Sequence, residues 1–301
     1  MEGDLLNQAL DIKLLQRLSQ HCECRYFLDV GAEKGSIAKV LYDQGFSGDL
    51  IEPLSKHASI LSALAEQYGG RFFQLALADT DGVRPFYIAQ DSHGRELDYF
   101  HSLLPIEPQA EFSHQHNISV QCRRIDGMVL DGLLPNKIGI LKVDTEGNDY
   151  FVLAGLGDIR PELVICEFFQ EEIYSGWEFG RAEIIIQQMR EFGYRHYYAI
   201  KRFSRWTSLV AGPAAFKSQD WGNLFFMNDT LYERSEEEVI ALMLESEQKQ
   251  FDELELLHAD WQAKEQVIQG LLLDKSVLAG REKPKGKFCG MKKLWGGLWG
   301  R

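Results

Sequence analysis

Between Tyr26 and Phe169 short apolar, β-branched runs alternate with stretches of helical periodicity. A chain satisfies that pattern with a mostly parallel sheet whose crossovers are helices. The apolar runs are YFLDV (26–30), GDLIE (48–52), RFFQLAL (71–77), IGILKVD (138–144) and ELVICEF (162–168). Residues 36–45 and 55–68 read as helices of about three turns, each short enough for a single crossover. RAEIIIQQMREFGY (181–194) reads as a further helix, and RHYYAI and NLFFMN as the last strands of the same sheet. The segment between the third and fourth strands holds DTDGVRPFYIAQ, a histidine-bearing loop and ISVQCRRI. It is too long for a plain crossover, and long insertions at strand ends commonly carry substrate contacts.

Composition bounds the function. With 301 residues, 45% of them hydrophobic and 26% charged, the chain can build one large α/β domain with an appendage, or two modest domains. Its net charge of −13 argues against nucleic acid as a partner, because phosphate contacts need a basic face. The opening MEGDLLNQALDIKLLQRLSQ reads as an amphipathic helix within residues 1–24, not a signal peptide, and no apolar run reaches membrane-spanning length. Five scattered cysteines read as reduced thiols, so a cytoplasmic location is expected. Cys22 and Cys24 lack a second metal-type pair, and no metal site is assigned to them.

The first strand runs into Gly31-Ala32-Glu33-Lys34-Gly35 before a helix. Such a turn lets backbone approach a ligand closely and leaves helix N–H groups free. Its spacing departs from the Gly-x-Gly-x-x-Gly of dinucleotide folds, which disfavours a nicotinamide-dependent oxidoreductase, and no Walker lysine follows. Glu52 ends the second strand about twenty residues on, where a carboxylate can accept ribose hydroxyls. Asp29, at the tip of the first strand, faces the same crevice. A cofactor with a ribose and a positive centre but no phosphates fits this pair, and S-adenosylmethionine has that chemistry.

FLDVGAEKGSIAKVL, IEPLSKHASIL, LKVDTEGNDYFVLAGL and LVICEF occur in the order and approximate spacing of the FkbM-type S-adenosylmethionine-dependent methyltransferases, which the chain resembles over residues 25 to 170. The resemblance implies an α/β class I methyltransferase (Rossmann-like) fold, with a mostly parallel seven-stranded sheet and helices on both faces. It also implies O-methylation of a saccharide or glycosylated natural product. Carried over by motif, Asp29, Gly31 and Gly35 would line the cofactor turn and Glu52 would hold the ribose. LALADTDG resembles the segment that borders the adenine, which points to Ala78 and Asp79. HSL at 101–103 resembles the family's Ser-Leu element. Glu33 is a departure, since the family usually has Asn there.

The fourth strand delivers Asp144 to the carboxyl edge of the sheet, where open α/β sheets bind ligands. Glu146 lies two residues on and Glu167 arrives from the fifth strand. Either one carboxylate takes the proton of an acceptor hydroxyl, or the acids together bind a divalent cation. The structural alternative is that Asp144 or Glu146 caps the next helix and Glu167 pairs with an interior cation. Of His93, His101, His114 and His116 in the insertion, His101 is the preferred candidate base. FSRWTS and GWEFGR carry aromatic and Arg residues suited to a sugar, or equally to the core.

The expected organisation is an N-terminal helix (1–24), a methyltransferase-like domain (25–232), a helical or coiled-coil extension (233–275) and a basic, Trp-containing tail (276–301). Steps of four and three from Ile240 give Leu244, Glu247, Phe251, Leu254, His258, Trp261, Glu265, Ile268 and Leu272, mostly apolar, and read as an interrupted heptad, open to a coiled coil, a homo-oligomer or a surface helix. QAKEQVIQGL resembles coiled-coil segments of bacterial glycan-assembly proteins. The tail pairs seven Lys or Arg with one acid and carries Trp295 and Trp299, a composition suited to an anionic membrane surface or a partner. A non-catalytic scaffold that recruits partners through these elements is the alternative function.

Overall fold

The strands at residues 26–30, 47–51 and 71–73 all point the same way, because the chain returns between them through a helix. In the computed structural model the described residues are 2–97, 99–106, 112–171, 176–203 and 206–278. Helix α1 (Glu2–Gln20) precedes β1 (Tyr26–Val30), α2 (Ser36–Asp43), β2 (Ser47–Ile51), α3 (Ser55–Tyr68) and β3 (Arg71–Phe73). The insertion supplies β4 (Ala76–Leu77), β5 (Gly82–Asp91) and β6 (Phe112–Arg123). Then come α4 (Ile125–Leu130), β7 (Ile140–Val143), α5 (Asp149–Ala154), β8 (Leu163–Phe169), a 3₁₀ turn at Trp177–Gly180 and α6 (Ala182–Glu191). The last elements are β9 (His196–Phe203), β10 (Trp206–Ala211), β11 (Trp221–Met227) and α7 (Asp229–Leu278).

The large sheet has the order β10-β9-β11-β8-β7-β1-β2-β3. The run β3-β2-β1-β7-β8 is parallel, whereas β11 runs against β8, β9 against β11 and β10 against β9. The sheet is therefore mixed and has eight described strands, a correction to the seven-stranded, mostly parallel expectation. WTSLVA at 206–211 is the added strand. It folds back on β9 across a short connection, and only an antiparallel pairing can be closed that way.

RFFQLAL is likewise two strands in two sheets. The Leu75 N–H donates to the Phe73 carbonyl at 3.0 Å, a three-residue turn that bends the chain out of the large sheet. The insertion then forms its own sheet, β4-β6-β5, over a small core that includes Phe86, Ile88, Leu103 and Val120.

Both faces of the large sheet are covered, as a sheet of near-continuous apolar strands requires. On one face Leu28, Val30, Leu141 and Val143 pack with Val152 and Leu153 of α5 and Ile185 and Met189 of α6. On the other, Phe27, Leu50, Ile140 and Ile165 pack with Leu14 and Leu18 of α1, Leu41 of α2 and Leu61 of α3. Leu231, Val239 and Leu242 of α7 join this second cluster. One compact unit accordingly extends from Met1 to Ser246, and a second comprises Glu247–Arg301. No helix among the described residues is long and apolar enough to cross a membrane. From residue 279 onward the predicted basic tail lies outside the described residues.

The second face also carries charge. Asp11 of α1 pairs with the buried Arg202 of β9 and accepts a hydrogen bond from Asn223 Nδ2 at 2.8 Å. Burial raises the Asp11 carboxyl, while Arg202 and Asn223 oppose that shift. Removing one partner of such a pair strands the other charge, whereas replacing both with apolar groups does not. Asp11→Ala should lower unfolding free energy by about 3–5 kcal/mol, and Asp11→Leu with Arg202→Met should recover most of it. Urea denaturation of the three proteins checks this.

Candidate active site

The carboxyl ends of β1, β2, β7 and β8 share one edge of the sheet, and the predicted site residues cluster there. Gly31 and Gly35 take φ of +73° and +77°. A Cβ on Gly31 would lie 1.8 Å from the Asp144 carbonyl oxygen, so the glycine is required by the close approach of the β1 and β7 ends. Gly35 caps α2, and a Cβ there would meet the Leu64 side chain at 2.4 Å. Between them Glu33 has φ +48°, a left-handed conformation that Asn adopts more readily than Glu. Its carboxylate is half exposed and pairs with Lys34 at 3.0 Å.

Glu52 is buried, and both its oxygens hold backbone: Oε1 accepts the Leu54 N–H at 2.9 Å and Oε2 the Glu33 N–H at 3.2 Å. Burial raises its carboxyl above the ordinary glutamate value despite those two bonds. Asp29 is fully buried, with the Lys142 ammonium 3.2 Å from Oδ1. Lys142 Nζ also donates to the Gly31 carbonyl at 2.7 Å and lies 3.6 Å from Asp144 Oδ2. Burial raises the Asp29 carboxyl and Lys142 pulls it back. Burial works against the Lys142 ammonium, yet Asp29 and then Asp144 hold its proton affinity above the usual lysine range.

The three predicted carboxylates do come together. Glu167, near the end of β8, is pushed well above the ordinary glutamate range by burial, then by Asp144, Glu146 and Asp149, with Arg202 opposing. Glu146 sits at φ +55° in the turn after β7. Asp149 organises this edge from the first turn of α5. Its Oδ2 accepts the Thr145 N–H at 3.0 Å and the Thr145 hydroxyl at 2.8 Å, and its Oδ1 accepts the Glu167 N–H at 2.9 Å. Burial, then Asp144, raise the Asp149 carboxyl to about 6. Among the described residues no group of three or more His, Cys, Asp or Glu is arranged to hold a metal ion.

The remaining predicted residues stand in other settings. Ala78 is buried and its N–H donates to the Arg123 carbonyl at 2.9 Å. The Asp79 carboxylate accepts from Arg84 at 2.8 Å, and its carbonyl accepts from Arg124 at 2.6 Å. His101 is buried in the insertion: Nδ1 accepts the Ala89 N–H at 3.0 Å and Nε2 lies 3.1 Å from Lys56 Nζ. Burial and the adjacent Lys56 charge lower its pKa to about 4. His114 is bonded on both ring nitrogens, to the Ile106 N–H and the Phe100 carbonyl.

A mixed sheet whose parallel half carries a glycine turn after β1, an acid after β2 and acids after β7 has the parts of a methyltransferase. The family model for the methyltransferase FkbM domain matches residues 29–196, more than half of the chain. The chain belongs to the FkbM methyltransferase family. S-adenosylmethionine is the methyl donor that goes with it. No curated protein matches the chain in sequence. Among solved structures the FkbM chain is similar to precorrin-6y C5,15-methyltransferase from Geobacter metallireducens GS-15, with 7% identity over 72% of this chain and 87% of that one, TM-score 0.35. It is similar to WbdD at 12% identity, covering 73% of this chain and 40% of that one, TM-score 0.40. It is also similar to an O-methyltransferase from Bacillus cereus in complex with SAH, at 14% identity over 73% and 80% of the two chains, TM-score 0.33. These likenesses are too distant to carry a function across.

Sequence reasoning missed Lys142, Asp149 and the Asp11–Arg202 pair. A lysine inside the otherwise apolar ILKV strand was the available signal, because a lysine in a buried strand needs a partner. Asp149 looked like any acid in a first helical turn.

Its raised proton affinity has a stability consequence. Unfolded, Asp149 ionises near 4; folded, near 6; so the folded state holds the proton longer and stability falls as pH rises through that window. The loss is about 3 kcal/mol for a shift of this size. Asp149→Asn should flatten the decline in unfolding free energy between pH 4 and 6, measured by denaturant titration at several pH values.

Proposed function

We propose that the chain is an S-adenosylmethionine-dependent O-methyltransferase acting on a hydroxyl of a saccharide or glycosylated natural product. The observation that carries this is the carboxylate group at the β7 and β8 ends, where Asp144 abuts Gly31 of the glycine turn and Asp149 holds the Glu167 N–H at 2.9 Å, with Asp144, Glu146 and Asp149 adding to burial in raising the Glu167 carboxyl. Methyl transfer to a hydroxyl needs a group that takes its proton, and a carboxylate of raised proton affinity is a stronger base than an ordinary one.

The residues fit the donor. Among the described residues Glu52 has backbone partners but no ion-pair partner, so its buried carboxylate retains acceptor capacity for ribose hydroxyls. Gly31 and Gly35 keep the turn bare of side chains, and Asp29 with Lys142 sets its floor. Ala78 and Asp79 border the adenine end. When bound, S-adenosylmethionine supplies a methyl group on a positively charged sulfur. Glu167 would take the proton of the acceptor hydroxyl, and Asp144 and Glu146 would orient that hydroxyl. His101, with both nitrogens engaged, holds the insertion against α3 through Lys56.

Ile240, Leu244, Phe251, Leu254, Trp261 and Ile268 are all exposed along α7, at the heptad steps expected. We infer that this stripe pairs with a second copy as a coiled coil. Sedimentation velocity should show a dimer that Phe251→Glu with Trp261→Glu turns into a monomer.

Incubation with labelled methyl donor and a panel of sugar nucleotides, lipid-linked glycans and polysaccharide fractions tests the activity. Label should enter saccharide, and label confined to protein or nucleic acid overturns the acceptor assignment. Glu167→Gln should lower kcat by about 10²–10⁴, the usual contribution of a general base. Glu52→Gln should weaken donor binding about tenfold by calorimetry, the loss of one charge-assisted bond.

A further inference from the structure

A cavity of about 330 Å³ opens at the C-terminal end of β9, lined by Lys201, Phe203, Trp206, Ser208, Lys217 and Ser218, among others. Since β9 opposes β11 and β11 opposes β8, β9 runs the same way as β8, and the cavity lies on the edge that carries the carboxylates. In the ladder Phe169 pairs Trp221, which pairs Arg202, so the Arg202 wall is two strand spacings from the end of β8, roughly 10 Å.

The charge there is opposite to that of the neighbouring site. Three cations, Lys201, Arg202 and Lys217, face one acid, Asp220. Asp220 is taken by Lys201 at 3.3 Å and by the Lys217 N–H at 2.9 Å, and Arg202 is taken by Asp11. Lys201 also donates to the Ala215 carbonyl at 2.8 Å. Among the described residues no carboxylate pairs with the exposed Lys217 ammonium. Phe203 is exposed beside it, and Trp206 adds a second aromatic wall. Aromatic faces, serine hydroxyls and one uncommitted ammonium are the chemistry that recognises a sugar carrying a negative charge.

We propose that this cavity is an acceptor subsite for an anionic saccharide, one with a carboxylate or phosphate on the sugar unit next to the methylated one. The proposal rests on the O-methyltransferase assignment above. Lys217 takes the anion, Trp206 and Phe203 take the ring face, and the acidic cluster around Glu167 repels the anion from the reacting end. A charged acceptor can then enter in one orientation only, which selects the hydroxyl presented to Glu167.

The test titrates full-length protein, loaded with S-adenosylhomocysteine, with maltose, its uronic acid and maltose 6′-phosphate by calorimetry. Methyl transfer to each is measured separately. At least one anionic sugar should bind about tenfold more tightly than maltose, and which one does so distinguishes carboxylate from phosphate. Lys217→Glu should abolish the preference and Lys217→Arg should retain it, with S-adenosylhomocysteine affinity reporting that each variant is folded. Equal affinity for all three sugars, no binding of any, or a preference that survives Lys217→Glu overturns the subsite. Anion preference without methyl transfer to any sugar leaves the subsite standing and removes the O-methyltransferase assignment. Methyl transfer without anion preference does the reverse.

Discussion

The Lys142 ammonium is the charge around which this site is built. It stands in the middle of β7, in the interior of the sheet, and is held by Asp29 of β1, the Gly31 carbonyl and Asp144. A buried cation is tolerated only with partners on several sides, and here those partners belong to the first strand, the glycine turn after it and the end of β7. One side chain therefore locks two segments more than a hundred residues apart in sequence, with the β1 and β7 ends so close that Gly31 has no room for a Cβ. It also balances the carboxylates gathered nearby.

That balance is local and incomplete, which is why the carboxylates at this edge hold their protons more tightly than ordinary acids. Asp149 spends its oxygens on the Thr145 turn and the Glu167 backbone, fixing the geometry while adding negative charge. Glu167 then carries the consequence, with Asp144, Glu146 and Asp149 raising its proton affinity and Arg202 restraining it. Arg202 is itself held by Asp11 from α1, so the N-terminal helix contributes to the electrostatics of β9 beside the site as well as to the core.

Much of the architecture was legible because parallel strands buried on both faces must be apolar runs separated by crossovers. YFLDV, GDLIE and the helix over 55–68 are found within a residue or so of expectation. Phe73 and Trp206 mark where legibility stopped. A three-residue turn without a strong residue signature breaks RFFQLAL into two sheets, and β10 pairs with β9 at an edge that local pattern along the chain does not specify. Among the candidate site residues Gly31, Gly35, Glu52, Asp144, Glu146 and Glu167 were visible as motif positions at strand ends, but His101 was not visible as a buried, doubly bonded histidine.

By itself the sequence determined the order of the strands' contents, the glycine turn and the family, since these depend on local pattern and spacing along the chain. Only the tertiary structure decided the pairings β9-β11-β8, the partners of Lys142 and Arg202, and the cationic cavity beside an acidic edge. The reason is physical. A side chain's charge is set by what surrounds it, and Asp11, Arg202 and Glu167 become neighbours only when a helix from one end of the chain closes over strands from the other.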